Sequence, residues 1–386
     1  MGLAADFKSY VRSHLPDAIV DAQHADINVV DAMCSLRGFA PDNDPNLLTR
    51  PLDQLAARIV DVAYSSAAHG CTLLVVFDRQ RSTTQMKAIE QAARNTKRKK
   101  PDAEKKKWTA EETDALILRR ELPCGSEWND FLDDREVRGR VVQAISEALF
   151  VRFRERSGVM DRVSRLVVVN GRVGADSERG YGPRAQTADR ANEECRDVDV
   201  DEDPWTGEAD VAMARWVRIL LHEHRGAPVD PPRVAVFTVD TDLVPIFMIH
   251  GGNNCIVYLS APQPQHRMAI GAHALASAIS KAYGLRPDEA VVCAILKKTD
   301  FTKPCLKGLP DWDKTMRLCG DHLKRTRGDV ALVSEGVLNV QAFKRMIESV
   351  AFAASAKRKV VAASLKADDE KRLRFVTKYW LRLEAE

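Results

Sequence analysis

Hydrophobic positions along this chain follow two periodicities. Five short runs are apolar almost without interruption: "INVVD" ending at Asp31, "TLLVVFD" ending at Asp78, "RLVVVNG" over 165–171, "VAVFTVD" ending at Asp240 and "CIVYLSA" over 255–261. Continuous Val, Ile and Leu suit strands buried on both faces, the habit of parallel sheets. Between these runs apolar residues recur with helical spacing over roughly 51–67, 110–120, 138–155 and 208–224. Strand and helix alternate, which predicts an α/β domain on a mostly parallel sheet. From about 265 the pattern turns mostly helical, and Pro287 and Asp288 mark a helix start.

Two stretches break the alternation. Residues 79–135 follow the second strand and are highly charged, with Lys and Arg clustered early. Residues 171–206 are rich in Gly, Asp and Arg without periodicity, which predicts a flexible insertion. A third oddity is local. The run "VAVFTVDTDLVPIF" carries Asp240 and Asp242 one residue apart, and on an extended chain side chains at i and i+2 point the same way. Such a pair repels unless a proton, a cationic side chain or a metal ion lies between the two groups.

Composition narrows the classes. With 386 residues, 45% of them hydrophobic, the chain can bury a large core and more than one domain. No apolar run approaches the ~20 residues needed to span a bilayer, so no membrane partner is expected. The start "MGLAADFKSYVRSHL" has no apolar signal core and no Ser or Thr at residue 6 for myristoylation. The eight cysteines (34, 71, 124, 195, 255, 293, 305 and 319) show no paired spacing, and are expected as reduced thiols in an intracellular, non-secreted protein. Net charge is only +3, but it is unevenly spread. "RNTKRKKPDAEKKK" (94–107) is basic, "EECRDVDVDED" (193–203) is acidic, and Lys357 to Arg382 holds nine Lys or Arg against three acids. Local basic arms suit contacts with a phosphate backbone, or simply solvated surface.

Ligands of open α/β sheets bind beyond the carboxyl ends of the strands. Three runs deliver an Asp to that edge: Asp31, Asp78 and Asp240, with Asp242 beside the last. Glu208 and Asp210 in "WTGEADVAMARWV" follow Gly207 at a helix start, where they would also favour the helix dipole.

The motifs "INVVDAM", "VVFDRQ", "GEADVA", "FTVDTDL" and "ILKKTDF" occur in an order that resembles the flap endonuclease/XPG-type 5′ nucleases, over roughly residues 1–305. The resemblance implies a PIN-like three-layer domain over 1–310, with a mostly parallel central sheet and a helical arch or gateway at 79–135. A helical C-terminal region would occupy 311–386. It implies that Asp31, Asp78, Glu208, Asp210, Asp240, Asp242 and Asp300 hold two Mg²⁺ ions, Mn²⁺ substituting, for phosphodiester hydrolysis. Lys87 and Arg94, seven residues apart, would contact the scissile phosphate, about two residues later than the family's usual offset. Lys97, Arg98, Lys99, Lys100, Lys105, Lys106 and Lys107 would line the arch. "MGL" fits the family start and makes Gly2 a nucleic-acid contact. Trp108 could stack on a base, although core packing is the commoner use of a lone Trp.

Two departures bear on the substrate. The family's G-x-G hairpin after the last acid is reduced here to Gly308 in "DFTKPCLKGLPDWDK", and long insertions separate Asp78 from Glu208. The pattern is closer to divergent viral members, the poxvirus flap-nuclease-like proteins and the herpesvirus host-shutoff RNase, which shares "DTDL" and a last "TD" followed shortly by Pro. The expected activity is therefore structure-specific DNA cleavage at single-strand/duplex junctions in replication, repair or recombination, alongside proteins of those pathways. Messenger-RNA cleavage and an inactive nucleic-acid-binding protein are the alternatives. The expected location is the nucleus or a cytoplasmic viral replication compartment; "KRKK" could serve as a nuclear signal. Other motifs are weaker. Asp197, Asp199, Asp201, Asp203 and Glu208 match EF-hand positions, but Glu202 stands where that loop needs Gly. "HEH" (222–224) lacks H-E-x-x-H spacing, and "HGGN" at His250 has no G-x-S-x-G nucleophile to serve.

Overall fold

The five apolar runs are all strands. The structure is a computed structural model that describes residues 6–42, 49–78, 106–171, 185–191, 195–198, 209–224, 230–259, 268–297, 305–307, 311–326, 331–355, 361–362, 369–370, 373–374, 377 and 380–381. In chain order its strands are β1 (Ala25–Asp31), β2 (Ala67–Val76), β3 (Val163–Val169), β4 (Ala185–Asp189), β5 (Cys195–Val198), β6 (Val234–Thr238), β7 (Cys255–Leu259) and β8 (Met268–Gly271), followed by four two-residue strands, β9 (Leu306–Lys307), β10 (Val333–Ser334), β11 (Val337–Leu338) and β12 (Val361–Ala362). Its helices are α1 (Phe7–His14), α2 (Ala32–Arg37), α3 (Pro51–Asp61), α4 (Ala110–Leu118), α5 (Ser126–Asp133), α6 (Arg135–Arg154), α7 (Ala209–Glu223), α8 (Leu243–His250), α9 (Ala272–Tyr283), α10 (Pro287–Lys297), α11 (Trp312–Thr326) and α12 (Val340–Ser355). The chain divides into a sheet unit, Ala22–Met213 with Pro232–Phe237, and a helical unit, Met1–Asp21 with Ala214–Pro231 and Thr238–Glu386. This division differs from the expected boundary at 310.

In the sheet unit the strand order is β5-β4-β3-β2-β1-β6. The four strands β3, β2, β1 and β6 are parallel, whereas β4 and β5 extend the sheet antiparallel. The parallel strands bury Ile27, Val29, Leu73, Leu74, Leu166 and Val236 completely. Each contributes on the order of 1.5–3 kcal/mol by leaving water. The polar residue inside the first run is satisfied internally: buried Asn28 donates to the Ala25 carbonyl (3.1 Å) and accepts from the Ser66 hydroxyl (2.8 Å).

Helix starts follow local chemistry. Pro51 opens α3. Thr109 and Glu112 form a capping box on α4. The Asp134 carboxylate accepts from Glu136 N–H (2.8 Å) and Val137 N–H (3.2 Å) at the start of α6.

Two expectations are corrected in this unit. Residues 171–206 are not wholly irregular. They contain β4 and β5, whose short polar strands lack the periodicity that would have announced them. The stretch 79–135 is not all solvated charge, because Leu122, Trp128, Phe131 and Leu132 are core residues at 0–2% exposure.

The helical unit contains α8 to α12 and the antiparallel pair β7–β8. Its N-terminal helix α1 joins α11 through aromatic rings: Trp312 stacks on Tyr10 (5.7 Å, 25°) and meets Phe7 edge-on (5.3 Å, 69°). The residues after 310 therefore share a core with the first helix. The backbone of Val20 continues the β7–β8 pair by donating to the Ala269 carbonyl (3.1 Å). Among the described residues, no helix is long and apolar enough to cross a membrane.

Candidate functional site

The acids of the sheet unit stand at the carboxyl ends of adjacent parallel strands. β1 and β2 are paired so that Asp31 lies opposite Val76. Asp78 follows two residues later, an advance of about 6–7 Å in extended chain. Asp31 is 6% exposed and caps α2: its carboxylate accepts from Met33 N–H (3.2 Å) and from the Cys34 thiol (2.7 Å). Asp78 is held differently. Its Oδ1 accepts from Ala209 N–H (3.2 Å), the first residue of α7. That bond brings Asp78 beside Ala209, 131 residues along the chain and next to Asp210. Asp210, half-buried, lies in the first turn of α7.

The approach to Asp78 depends on a residue that sequence reading passed over. Asn170 adopts a left-handed φ of 58° and donates to the Phe77 carbonyl (2.8 Å), while Phe77 N–H donates to the Val169 carbonyl (3.1 Å). Asn tolerates positive φ better than other side-chain-bearing residues, and the dipeptide Asn170-Gly171 at the end of a strand was the available signal. Cys34 was also passed over; a lone Cys three residues after an Asp carries no pattern that marks it.

In the helical unit the expected extended Asp pair is corrected. β6 ends at Thr238, and Asp240 and Asp242 occupy a turn that leads into α8. Asp240 Oδ1 accepts from Asp242 N–H (3.0 Å), and Asp240 N–H donates to the Thr238 hydroxyl (2.9 Å). The turn, not an i,i+2 projection from a strand, fixes the two side chains. Asp242 is 1% exposed and immediately precedes α8.

The basic residues are placed only in part. Gly2, Lys87, Arg94, Lys97, Arg98, Lys99, Lys100 and Lys105 lie outside the described residues, as do Glu208, Asp300, Gly308 and the EF-hand-like positions 199–208. Lys106 is ion-paired with Glu127 (3.6 Å) and sits over the Trp108 ring (3.7 Å). Trp108 meets Phe131 edge-on (5.0 Å), so the indole packs within the unit. Lys107 is exposed. Cys34, Cys71, Cys124, Cys255, Cys293, Cys305 and Cys319 form no disulfide, and burial pushes the Cys71 thiol up to about 11 and the Cys305 thiol up to about 12.

The donor chemistry of Asp31, Asp78 and Asp210 is all oxygen, which suits a hard divalent cation such as Mg²⁺. Among the described residues no group of three or more His, Cys, Asp or Glu side chains is close enough together to hold a metal ion. No protein-family model matches the chain, and no curated protein sequence matches it.

Proposed function

We propose that this chain is a metal-dependent phosphodiesterase of the flap endonuclease/XPG type, with a PIN-like sheet unit, acting on nucleic acid. The observation that carries the reading is the Asp78–Ala209 hydrogen bond. It joins the end of one parallel strand to the helix start that bears Asp210, beside the strand that ends in Asp31. Acids gathered at the carboxyl edge of a parallel sheet suit ligand binding there. The ordered motifs assign Asp240, Asp242 and Asp300 to the same chemistry.

Bound divalent ions would activate water and stabilise the leaving oxygen. Asp31, Asp78 and Asp210 would bind them in the sheet unit, joined by Glu208. Cys34 and the Met33 N–H orient the Asp31 carboxylate, and the Ala209 N–H orients that of Asp78. Lys87 and Arg94 would contact the scissile phosphate, where cationic donors matter most as negative charge develops. The basic residues from Lys97 to Lys107 would track the strand's backbone, giving affinity that salt screens.

Junction-bearing DNA is the leading substrate, and the reduced glycine hairpin at Gly308 keeps RNA as the second. The test is cleavage of labelled DNA flaps, DNA duplex ends and single-stranded RNA with Mg²⁺ or Mn²⁺, with EDTA as control. Metal-dependent cleavage of any of them, lost in Asp78→Asn, supports the reading, and the substrate cleaved fastest fixes the class. Absence of cleavage on all three, with the protein folded, removes it.

A further inference from the structure

Away from the strand-end acids, the sheet unit contains a cavity of about 710 Å³ between α6 and β4. Gln186, Ala188 and Arg190 alternate along β4 and its end to face the cavity, and Gln143, Glu147 and Phe150 line it from one stripe of α6. Its size falls within the ~300–1,000 Å³ of small-molecule sites.

The charges around it are unbalanced. Arg190 is fixed over the Phe153 ring (4.7 Å) and donates to two carbonyls, Val163 (2.6 Å) and Met160, rather than to a carboxylate. Arg154 and Arg156 are exposed on the rim at the end of α6. Arg154 Nε makes a long bond to the Phe150 carbonyl (3.4 Å), and Arg156 has no ion pair among the described residues. Of the two lining carboxylates, Asp189 is paired with Arg165 (3.7 Å), and Glu147 keeps its charge while accepting from the Gln143 amide (3.2 Å), which leaves three arginines against one unpaired carboxylate among the described residues. Burial, then repulsion from Arg156, lowers the pKa of Arg190 against a smaller opposing pull from Asp161.

Guanidinium forks match phosphate oxygens. Carboxamides offer both a donor and an acceptor to a base edge, and aromatic rings offer it an apolar face. We propose that this cavity binds a nucleoside monophosphate unit, with the phosphate at Arg154 and Arg156 and the base against Phe150, between Gln143 and Gln186. The unit is either a free nucleotide or the phosphorylated end of a strand. The proposal does not depend on the carboxylate chemistry above.

Calorimetric titration of the full chain in EDTA tests it, using inorganic phosphate, adenosine, AMP, UMP and a 5′-phosphorylated tetranucleotide. One nucleotide should bind at a single site at least ten-fold more tightly than phosphate or adenosine. Arg156→Gln and Arg154→Gln should each weaken it about ten-fold or more without changing the circular dichroism, since both side chains are exposed. Asp31→Asn should leave it unchanged. Tighter binding of the tetranucleotide, lost with the same arginines, identifies a strand end as the source; equal or weaker binding identifies the free nucleotide. The proposal is overturned if no nucleotide binds at millimolar concentration, or if phosphate binds equally well. It is also overturned if binding survives both arginine substitutions but is lost in Asp31→Asn, a result that would leave the proposed function standing.

Discussion

Trp128 in the sheet unit and Trp312 in the helical unit are both buried, stack on a neighbouring ring and use the indole N–H, yet they anchor to different things. Trp128 stacks on Phe131 (5.9 Å, 26°) and donates to the Leu36 carbonyl (3.2 Å). Leu36 belongs to α2, the helix capped by Asp31. Trp312 donates to the Asp6 carboxylate (3.0 Å), a side chain just ahead of α1. The first tryptophan therefore supports the segment that presents a candidate site acid. The second joins α1 and α11, neither of which carries a candidate site acid. Loss of packing at Trp128 should reach the chemistry, whereas equal loss at Trp312 should cost stability alone.

The largest expected effect tests that contrast at the acids. Asp78→Asn should lower metal-dependent cleavage by about 10³-fold or more, on the order of 4 kcal/mol of barrier, with little change in melting temperature. Asp31→Asn should do the same and remain folded, because Asn caps a helix about as well as Asp. Asp313→Asn in the helical unit should leave single-turnover rates within about two-fold. Equal losses in all three would end the distinction between the units.

Next come the tryptophans. Trp128→Ala and Trp312→Ala should each cost about 3–5 kcal/mol in denaturant unfolding. The milder Trp128→Phe and Trp312→Phe keep a ring but lose the donor. At a temperature where both are fully folded, Trp128→Phe should reduce the cleavage rate and Trp312→Phe should not. A reversed outcome would mean that α2 does not depend on its carbonyl anchor.

Two buried glycines give a finer comparison. A Cβ at Gly320 in α11 would run into the Tyr283 carbonyl oxygen, which is backbone. A Cβ at Gly171 would meet the Ser146 hydroxyl, which can rotate, and Val168 Cγ1 at 2.6 Å. Overpacking costs about 1–3 kcal/mol, and Gly320→Ala should lie at the upper end with Gly171→Ala below it. Chemical denaturation of the two variants decides the order; a larger loss at Gly171 would show that Ser146 and Val168 cannot yield.

The smallest effect concerns pH. Burial raises the Asp313 pKa, but hydrogen bonds from Arg317 and Tyr283 outweigh it and leave the carboxyl below its ordinary range. A lowered native pKa adds stability above the unfolded value, about 4, and loses it as pH falls through the native value. Asp313→Asn should therefore flatten the acid limb of the stability profile below about pH 4 and change little at pH 7 beyond a constant offset. An unchanged acid limb would mean that the Asp313 network contributes nothing to it.

Local pattern carried much of the architecture. The unbroken Val, Ile and Leu runs located the strands, and Pro287 located the start of α10, because burial on two faces and cap chemistry are written in adjacent residues. Strand-end Asp31 and Asp78 were visible for the same reason. β4 and β5 were not, because short polar strands draw their stability from partners in the sheet rather than from their own periodicity. The turn at Asp240 and Asp242 was misread because an apolar run does not reveal where extension stops.

Tertiary structure alone decided which distant groups meet. Asp78 finds the Ala209 N–H 131 residues away, Trp312 finds Asp6 at a separation of 306, and Arg190 finds the Phe153 ring. Each pairing satisfies a polar group or a charge that burial would otherwise penalise. Which partner does so depends on how the elements stack, a long-range property that no window of neighbouring residues encodes.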